Sequence, residues 1–221
     1  MLKLENVSYR YRKGNKDVLQ RVCADFEDAK INVIVGPSGS GKTTLLSIMA
    51  GMDKPAEGSV AIDGDDLSKM DLNLYRRERI AMIFQAFHLF PLLTAIENVC
   101  YPLEAAGAKS SEAKERAISL LESVGITSDK HNRYPANLSG GEQQRVAIAR
   151  ALSVGAKVIL ADEPTGNLDS ANSDAVVEIL KELAHKHGYC VVIVTHNPEI
   201  AAIADNVFRM RDGVLTKELA G

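Results

Sequence analysis

Apolar and polar positions alternate from Leu2 to Tyr11 and again from Val18 to Phe26, the period of a half-buried strand. The two segments flank Lys13-Gly14-Asn15-Lys16, a turn-like tetrapeptide, so they predict an antiparallel hairpin. Ser59–Ile62 followed by Asp63-Gly64 predicts an edge strand with a turn after it. Other stretches do not alternate. Ile31–Val35 and Ile80–Phe84 are mostly apolar runs of strand length, and Val158–Ala161 and Val191–Val194 read as central parallel strands buried on both faces. A third pattern has helical spacing. Ala113, Ala117, Leu120, Leu121 and Val124 recur behind Ser110-Ser111 and stop at Gly125. Ala175, Val176, Ile179, Leu180 and Leu183 form a crossover helix ending near His185-Lys186-His187-Gly188, with cations in its last turn. Phe87, Leu89, Phe90, Leu92 and Leu93 crowd around Pro91 and fit no single amphipathic element. The tail, Val207–Arg211, Asp212-Gly213 and Val214-Leu215, carries a two-residue hairpin signal. These elements predict one α/β domain over 1–221, with a sheet core at 1–85 and 156–221 and a mostly helical lobe inserted at 86–155.

Composition narrows the partners. The chain has 221 residues, 46% hydrophobic and 25% charged, an ordinary globular balance. A formal net charge of -3 gives no electrostatic case for nucleic acid as the main partner, which usually needs a basic face. No run of about 18 apolar residues occurs, so any membrane role is expected through a partner. The N-terminus lacks a signal-peptide pattern. Cys23, Cys100 and Cys190 have no CxxC spacing and read as reduced, mostly structural thiols.

The sharpest chemistry lies between Ile31–Val35 and Thr44-Leu45-Leu46, where Gly36-Pro37-Ser38-Gly39-Ser40-Gly41-Lys42-Thr43 has the strand, glycine loop, helix setting of a P-loop. Glycines let successive N–H groups turn toward phosphate oxygens, and the helix dipole adds positive potential there. Lys42 can reach the β- and γ-phosphates, and the Thr43 hydroxyl can ligate Mg2+. Asp162-Glu163 follows an apolar strand, where carboxylates are costly unless they serve an ion or a water. Asp162 suits the metal's water shell and Glu163 the water attacking the γ-phosphate. Leu138-Ser139-Gly140-Gly141-Glu142 opens another helix, Gln143–Ser153, whose start offers a hydroxyl and bare backbone donors but no lysine.

With these motifs in this order, the chain resembles the ATP-binding cassette (ABC) family from about Leu2 to Leu215. The resemblance implies a head-to-tail dimer around ATP and Mg2+, in which Ser139, Gly140 and Gly141 contact the γ-phosphate on the partner chain. It implies that Gln85 senses the metal and the attacking water, that His196 is the switch histidine, and that Asp169 crosses the dimer interface. It also implies that Tyr11 stacks on adenine; Tyr9 has the same strand parity and competes for that role. Gly36, Ser38, Gly39, Ser40, Gly41 and Thr44 complete the implied nucleotide contacts. In this family the apolar run after Gln85 lies near a groove that accepts a short helix from a transmembrane permease.

Asp162–Ser170, Leu138–Arg150 and Gln85–Thr94 look like the group of lipoprotein-release, macrolide-efflux and antimicrobial-peptide-resistance ATPases. Gly166-Asn167 stands where many members of the wider family carry Ser-Ala. The implied protein is a transporter ATPase, held at the cytoplasmic face of the membrane by its permease. The alternative is a soluble ATPase of the same fold acting on a cytosolic scaffold. A GTPase is disfavoured because no Asn-Lys-x-Asp follows the P-loop, and a DNA-repair cassette because no coiled coil or zinc module interrupts the lobe. His185 and His187 read as helix-terminal cations, not a metal pair.

Overall fold

Strands in this protein divide between two sheets, and the division follows the two apolar patterns. The structure, a computed structural model, describes residues 1–11 and 17–218; the turn expected at Lys13-Gly14-Asn15-Lys16 lies outside them. The alternating segments form β1 (Leu2–Tyr9) and β2 (Leu19–Phe26), paired antiparallel with Leu2 opposite Phe26. β4 (Glu57–Ile62) runs along the other side of β1. It is not a plain edge strand, as expected from sequence, because the two-residue β5 (Asp65–Asp66) pairs with Ala61 and Ile62. Asp63 and Gly64 both adopt left-handed backbone, which turns the chain straight back onto the free side of β4.

The continuous runs form the second sheet. β3 (Lys30–Val35), β6 (Ile80–Phe84), β7 (Val158–Asp162), β8 (Cys190–Thr195) and β9 (Asn206–Arg211) are parallel, and β10 (Val214–Lys217) folds back antiparallel on β9. The order is β10-β9-β3-β8-β7-β6. Successive residues of the central strands enter different cores. Ile159, Ala161, Val191 and Ile193 pack on the helical side, while Val158, Leu160, Val192 and Val194 pack toward β1, β2 and β4. Both faces of β7 and β8 are covered, so apolar residues dominate these strands up to their carboxyl ends.

α1 (Lys42–Met49) lies in the core shared with the antiparallel sheet. α3 (Ala95–Ala105), α4 (Ser110–Ser123), α5 (Gly140–Leu152) and α6 (Ser170–His185) share the opposite core. α2 (Leu72–Glu78) and the short α7 (Pro198–Ala202) carry too few apolar positions for a periodic signal. α3 was hidden differently: Ile96, Val99 and Leu103 are buried at helical spacing, but Pro102 sits in its last turn and obscures the pattern. Residues 85–94, the crowded stretch around Pro91, form no helix or strand. Two side chains satisfy its backbone instead. Fully buried Asn98 accepts from Phe90 N at 2.8 Å and donates to the carbonyls of Phe90, Leu93 and Thr94. Arg150 donates to the carbonyls of His88, at 2.6 Å, and Phe87, at 3.1 Å.

Candidate nucleotide site

The parallel strands β3, β8, β7 and β6 are neighbours, and their carboxyl ends carry the P-loop, His196, Asp162-Glu163 and Gln85 respectively. Phe84 is opposite Asp162, and Asp162 is opposite Val194, so residues far apart in sequence meet at one sheet edge. They surround a cavity of about 770 Å3, also lined by Tyr11, Val18, Ser38, Gly39, Gly41, Lys42, Thr43 and Thr44.

The P-loop is shaped for an anion. Gly39 and Gly41 take φ of 76° and 108°, which side chains rarely tolerate. Gly36 is required for a different reason: a Cβ there would lie 2.2 Å from the Met210 carbonyl oxygen. Gly41 is the N-cap of α1 and offers no side-chain cap, whereas α3, α5 and α6 are capped by Thr94, Ser139 and Asp169. The first-turn N–H groups of α1 therefore have no acceptor from a capping side chain, which suits phosphate oxygens. Lys42 Nζ folds back over the loop, donating to Gly36 O at 2.8 Å and Pro37 O at 3.1 Å, and keeps a third donor. Buried Ser40 does not line the cavity; its carbonyl accepts from Gly213 N at 3.1 Å, seating the loop on the β9–β10 turn.

The two acids are held differently. Burial pushes the Asp162 carboxyl above its ordinary range; a Thr43 hydrogen bond opposes this, the Glu163 charge adds to it and the Lys42 charge opposes it. A cation beside Thr43 and Asp162 would remove that burden, so the donor set fits a hard divalent ion. Among the described residues no cluster of three or more His, Cys, Asp or Glu could hold a metal, so phosphate and water oxygens would have to complete such a site. Glu163 has left-handed backbone, φ 47°, and its N–H donates to Val194 O at 2.9 Å. Its carboxylate accepts from Thr195 Oγ1 at 2.9 Å and bonds His196 Nδ1 at 2.7 Å. A carboxylate has about four acceptor positions, so these bonds leave capacity for a water. Gln85 bonds Asn167, with its Nε2 donating to Asn167 Oδ1 at 3.2 Å.

Of the two tyrosines, Tyr11 lines the cavity and its hydroxyl shares a 2.8 Å hydrogen bond with Thr44 Oγ1. Tyr9 packs edge-on against it, with ring centroids 5.1 Å apart. Gly36, Ser139, Gly140, Gly141 and Asp169 lie outside the cavity lining. The α5 start is also less bare than its sequence predicts. Ser139 and Glu142 form a reciprocal capping box, so the N–H groups of Ser139 and Glu142 are occupied. Gly140 and Gly141 N–H and the Ser139 hydroxyl proton have no acceptor in that box.

A family model described as ABC transporter matches residues 19–166, two thirds of the chain. This chain belongs to the ABC transporter family. The ABC ATPase is 43% identical over 221 residues to the lipoprotein-releasing system ATP-binding protein LolD of Bacteroides thetaiotaomicron, covering 99% of this chain and 100% of that one. It is 44% identical over 218 residues to the macrolide export ATP-binding/permease protein MacB of Burkholderia pseudomallei, covering 96% of this chain but 33% of that longer protein. Its fold is similar to the dimeric post-hydrolysis structure of the cassette MJ0796 bound to ADP and Pi, with a TM-score of 0.90, 39% identity and full coverage of both chains. MJ0796 is from Methanocaldococcus jannaschii.

Val18 and Thr195 of the ABC ATPase site carry no motif signal, and Asn167 stands out in the sequence only by its departure from the wider family. Val18 lines the cavity, and Val18 N donates to Tyr9 O at 2.8 Å, so the hairpin pairing itself was the available clue. Thr195 and Asn167 act on Glu163 and Gln85 from outside the lining, and only the fold brings them there. Among the described residues no helix is long and apolar enough to cross a membrane. Cys190 is buried, and its thiol is pushed up to about 12, so it is not a nucleophile near neutral pH.

Proposed function

We propose that two copies of this ABC ATPase close around two ATP, each with Mg2+, and that closure and hydrolysis drive a transmembrane permease of exporter or mechanotransmission type. The observation that carries this reading is the separation of the phosphate-seeking groups. The P-loop, Asp162, Glu163 and His196 surround one cavity, while Ser139, Gly140, Gly141 and Asp169 stay outside it. A second copy supplying the second set would complete the site, and the dimeric MJ0796 cassettes support that arrangement. In this reading Glu163 is the general base, His196 and Gln85 orient the water and the metal shell, and Tyr11 stacks on adenine. Thr43 and Asp162 would hold Mg2+ together with the phosphates, and the bound ion would supply positive charge for the reaction. Residues 1–221 act as one ATPase unit with 86–155 as its helical subdomain.

The permease reading draws support from an apolar groove of about 310 Å3 lined by Met82, Phe90, Tyr101, Pro102 and Arg150. Phe90 and Tyr101 are 41% and 54% exposed and meet edge-on with ring centroids 5.0 Å apart, with the Arg150 guanidinium 5.7 Å from the Phe90 centroid. Such a groove suits a short amphipathic helix. The names of LolD and MacB favour an export or lipoprotein-release partner, and a permease would hold the ATPase peripherally at the inner face of the membrane.

Light scattering on Glu163→Gln tests the shared site. With excess ATP and Mg2+ the variant is expected to double in mass relative to the nucleotide-free protein. A monomer under those conditions would reject the two-copy mechanism. Copurification with an integral membrane protein is expected; capture of a soluble scaffold alone would favour the cytosolic assembly reading.

A further inference from the structure

We propose that Asn167 is a positioning residue for Gln85, fixing the direction in which that side chain faces the nucleotide cavity. Two bonds connect the pair in opposite senses: Gln85 Nε2 donates to Asn167 Oδ1 at 3.2 Å, and Asn167 Nδ2 donates to the Gln85 main-chain oxygen at 3.0 Å. Reversing the Asn167 amide would set donor against donor and acceptor against acceptor, so the pairing specifies one orientation. One side chain thereby holds both the backbone and the amide of Gln85. Asn167 itself does not line the cavity, whereas Gln85 does.

Gly166 supplies the room. A Cβ at 166 would lie 2.9 Å from Gln85 Nε2 and 3.2 Å from its Cδ, so the Gln85 amide rests where any larger residue would push it away. The backbone of Gly166 is not in the left-handed region, so space and not conformation is what calls for glycine. Gly166 N in turn donates to Glu163 O at 3.0 Å. The segment that grips Gln85 is therefore tied, at the residue before Asn167, to the residue proposed as base. Gln85 and Glu163, which leave different strands, are thus linked through the short segment Gly166-Asn167.

This inference rests on the reading of Gln85 as a group that faces the metal and the attacking water. Mn2+ serves as a spectroscopic probe for the divalent ion, titrated by electron paramagnetic resonance into the ATP complex of Glu163→Gln, where turnover does not interfere. Asn167 and Gly166 are exposed, so their variants are expected to fold. Asn167→Ala is expected to weaken Mn2+ binding about fivefold, in line with loss of a partner outside the coordination shell. Metal-free ATP affinity should stay within about twofold, the scale of half a typical hydrogen bond. Gly166→Ala should act in the same direction by displacing Gln85. Adding Asn167→Ala to Gln85→Ala should weaken binding no further than Gln85→Ala alone. Unchanged Mn2+ binding in Asn167→Ala, or an additive double variant, overturns the inference while leaving the reading of Gln85 intact. If Gln85→Ala itself leaves Mn2+ binding unchanged, the reading of Gln85 fails and the inference falls with it.

Discussion

Glu163 is constrained from both ends: its backbone sits at φ 47° and its two carboxylate oxygens meet Thr195 and His196. A carboxylate held this firmly is preorganised for the role of base proposed for it, and replacing it by an isosteric amide should alter chemistry more than binding. Glu163→Gln is expected to lower ATP turnover by about 10² to 10⁴, with nucleotide affinity retained in a fluorescence titration. Turnover near the parental rate would show that another group is the base. Asp162 lends itself to a pH test. Burial raises its proton affinity in the folded, nucleotide-free chain, so folding takes up a proton as pH rises above the unfolded value of about 3.9. The stability linked to this group is complete below that value and declines as pH climbs through the raised folded value. Asp162→Asn should therefore be more stable than the parent in urea near neutral pH, with the difference vanishing below about pH 4. Its ATPase activity should be lost. The types and neighbours of these two acids were legible in the sequence, because a carboxylate pair after an apolar strand demands a use. That Glu163 would be bonded to Thr195 and His196 was not, since the partners lie on β8 and the acid follows β7.

Among the elements, α3 shows how a buried polar residue can organise a segment that has no regular structure. Asn98 satisfies four backbone groups of residues 90–94, and those residues carry Phe90 into the exposed groove. Asn98→Ala would leave Phe90 N and the Leu93 carbonyl without their partner, while Phe90 O keeps Leu93 N and Thr94 O keeps the backbone N–H of residue 98, and is expected to cost about 1–3 kcal/mol of stability. Urea denaturation measures the loss, and faster amide exchange at Phe90 should accompany it. A change below about 0.5 kcal/mol would mean that water replaces the side chain. The run around Pro91 announced an irregular stretch, yet nothing in its composition said which side chains would satisfy it. The central parallel strands were easier to find because burial on both faces favours continuous apolar runs. α1 and α5 illustrate another limit. Both begin at glycine-rich sequence, but a capping box closes part of the α5 start while α1 has no side-chain cap. Glu142, three residues after Ser139, was the readable sign of that difference.

The molecule as a whole presents a nucleotide cavity at one set of strand ends and leaves the Ser139 helix start outside it. If a second copy uses that start, Ser139→Arg should leave ATP affinity of the dilute monomer within about twofold. The same change should reduce turnover at higher protein concentration at least about 100-fold, the scale of losing an anion-stabilising donor set. A matching loss in monomer affinity would place Ser139 at its own chain's nucleotide. By itself the sequence determined the P-loop, the acidic strand end, the α/β class and the family resemblance. Each of these is a local pattern: a spacing of glycines, an apolar run, or a cap within one turn. Tertiary structure alone decided that β4 is flanked on both sides, that Tyr11 rather than Tyr9 lines the cavity, and that Asn167 meets Gln85. Those outcomes depend on the order of strands in the sheets and on loops meeting across it, and contacts between distant segments leave no period in a sequence.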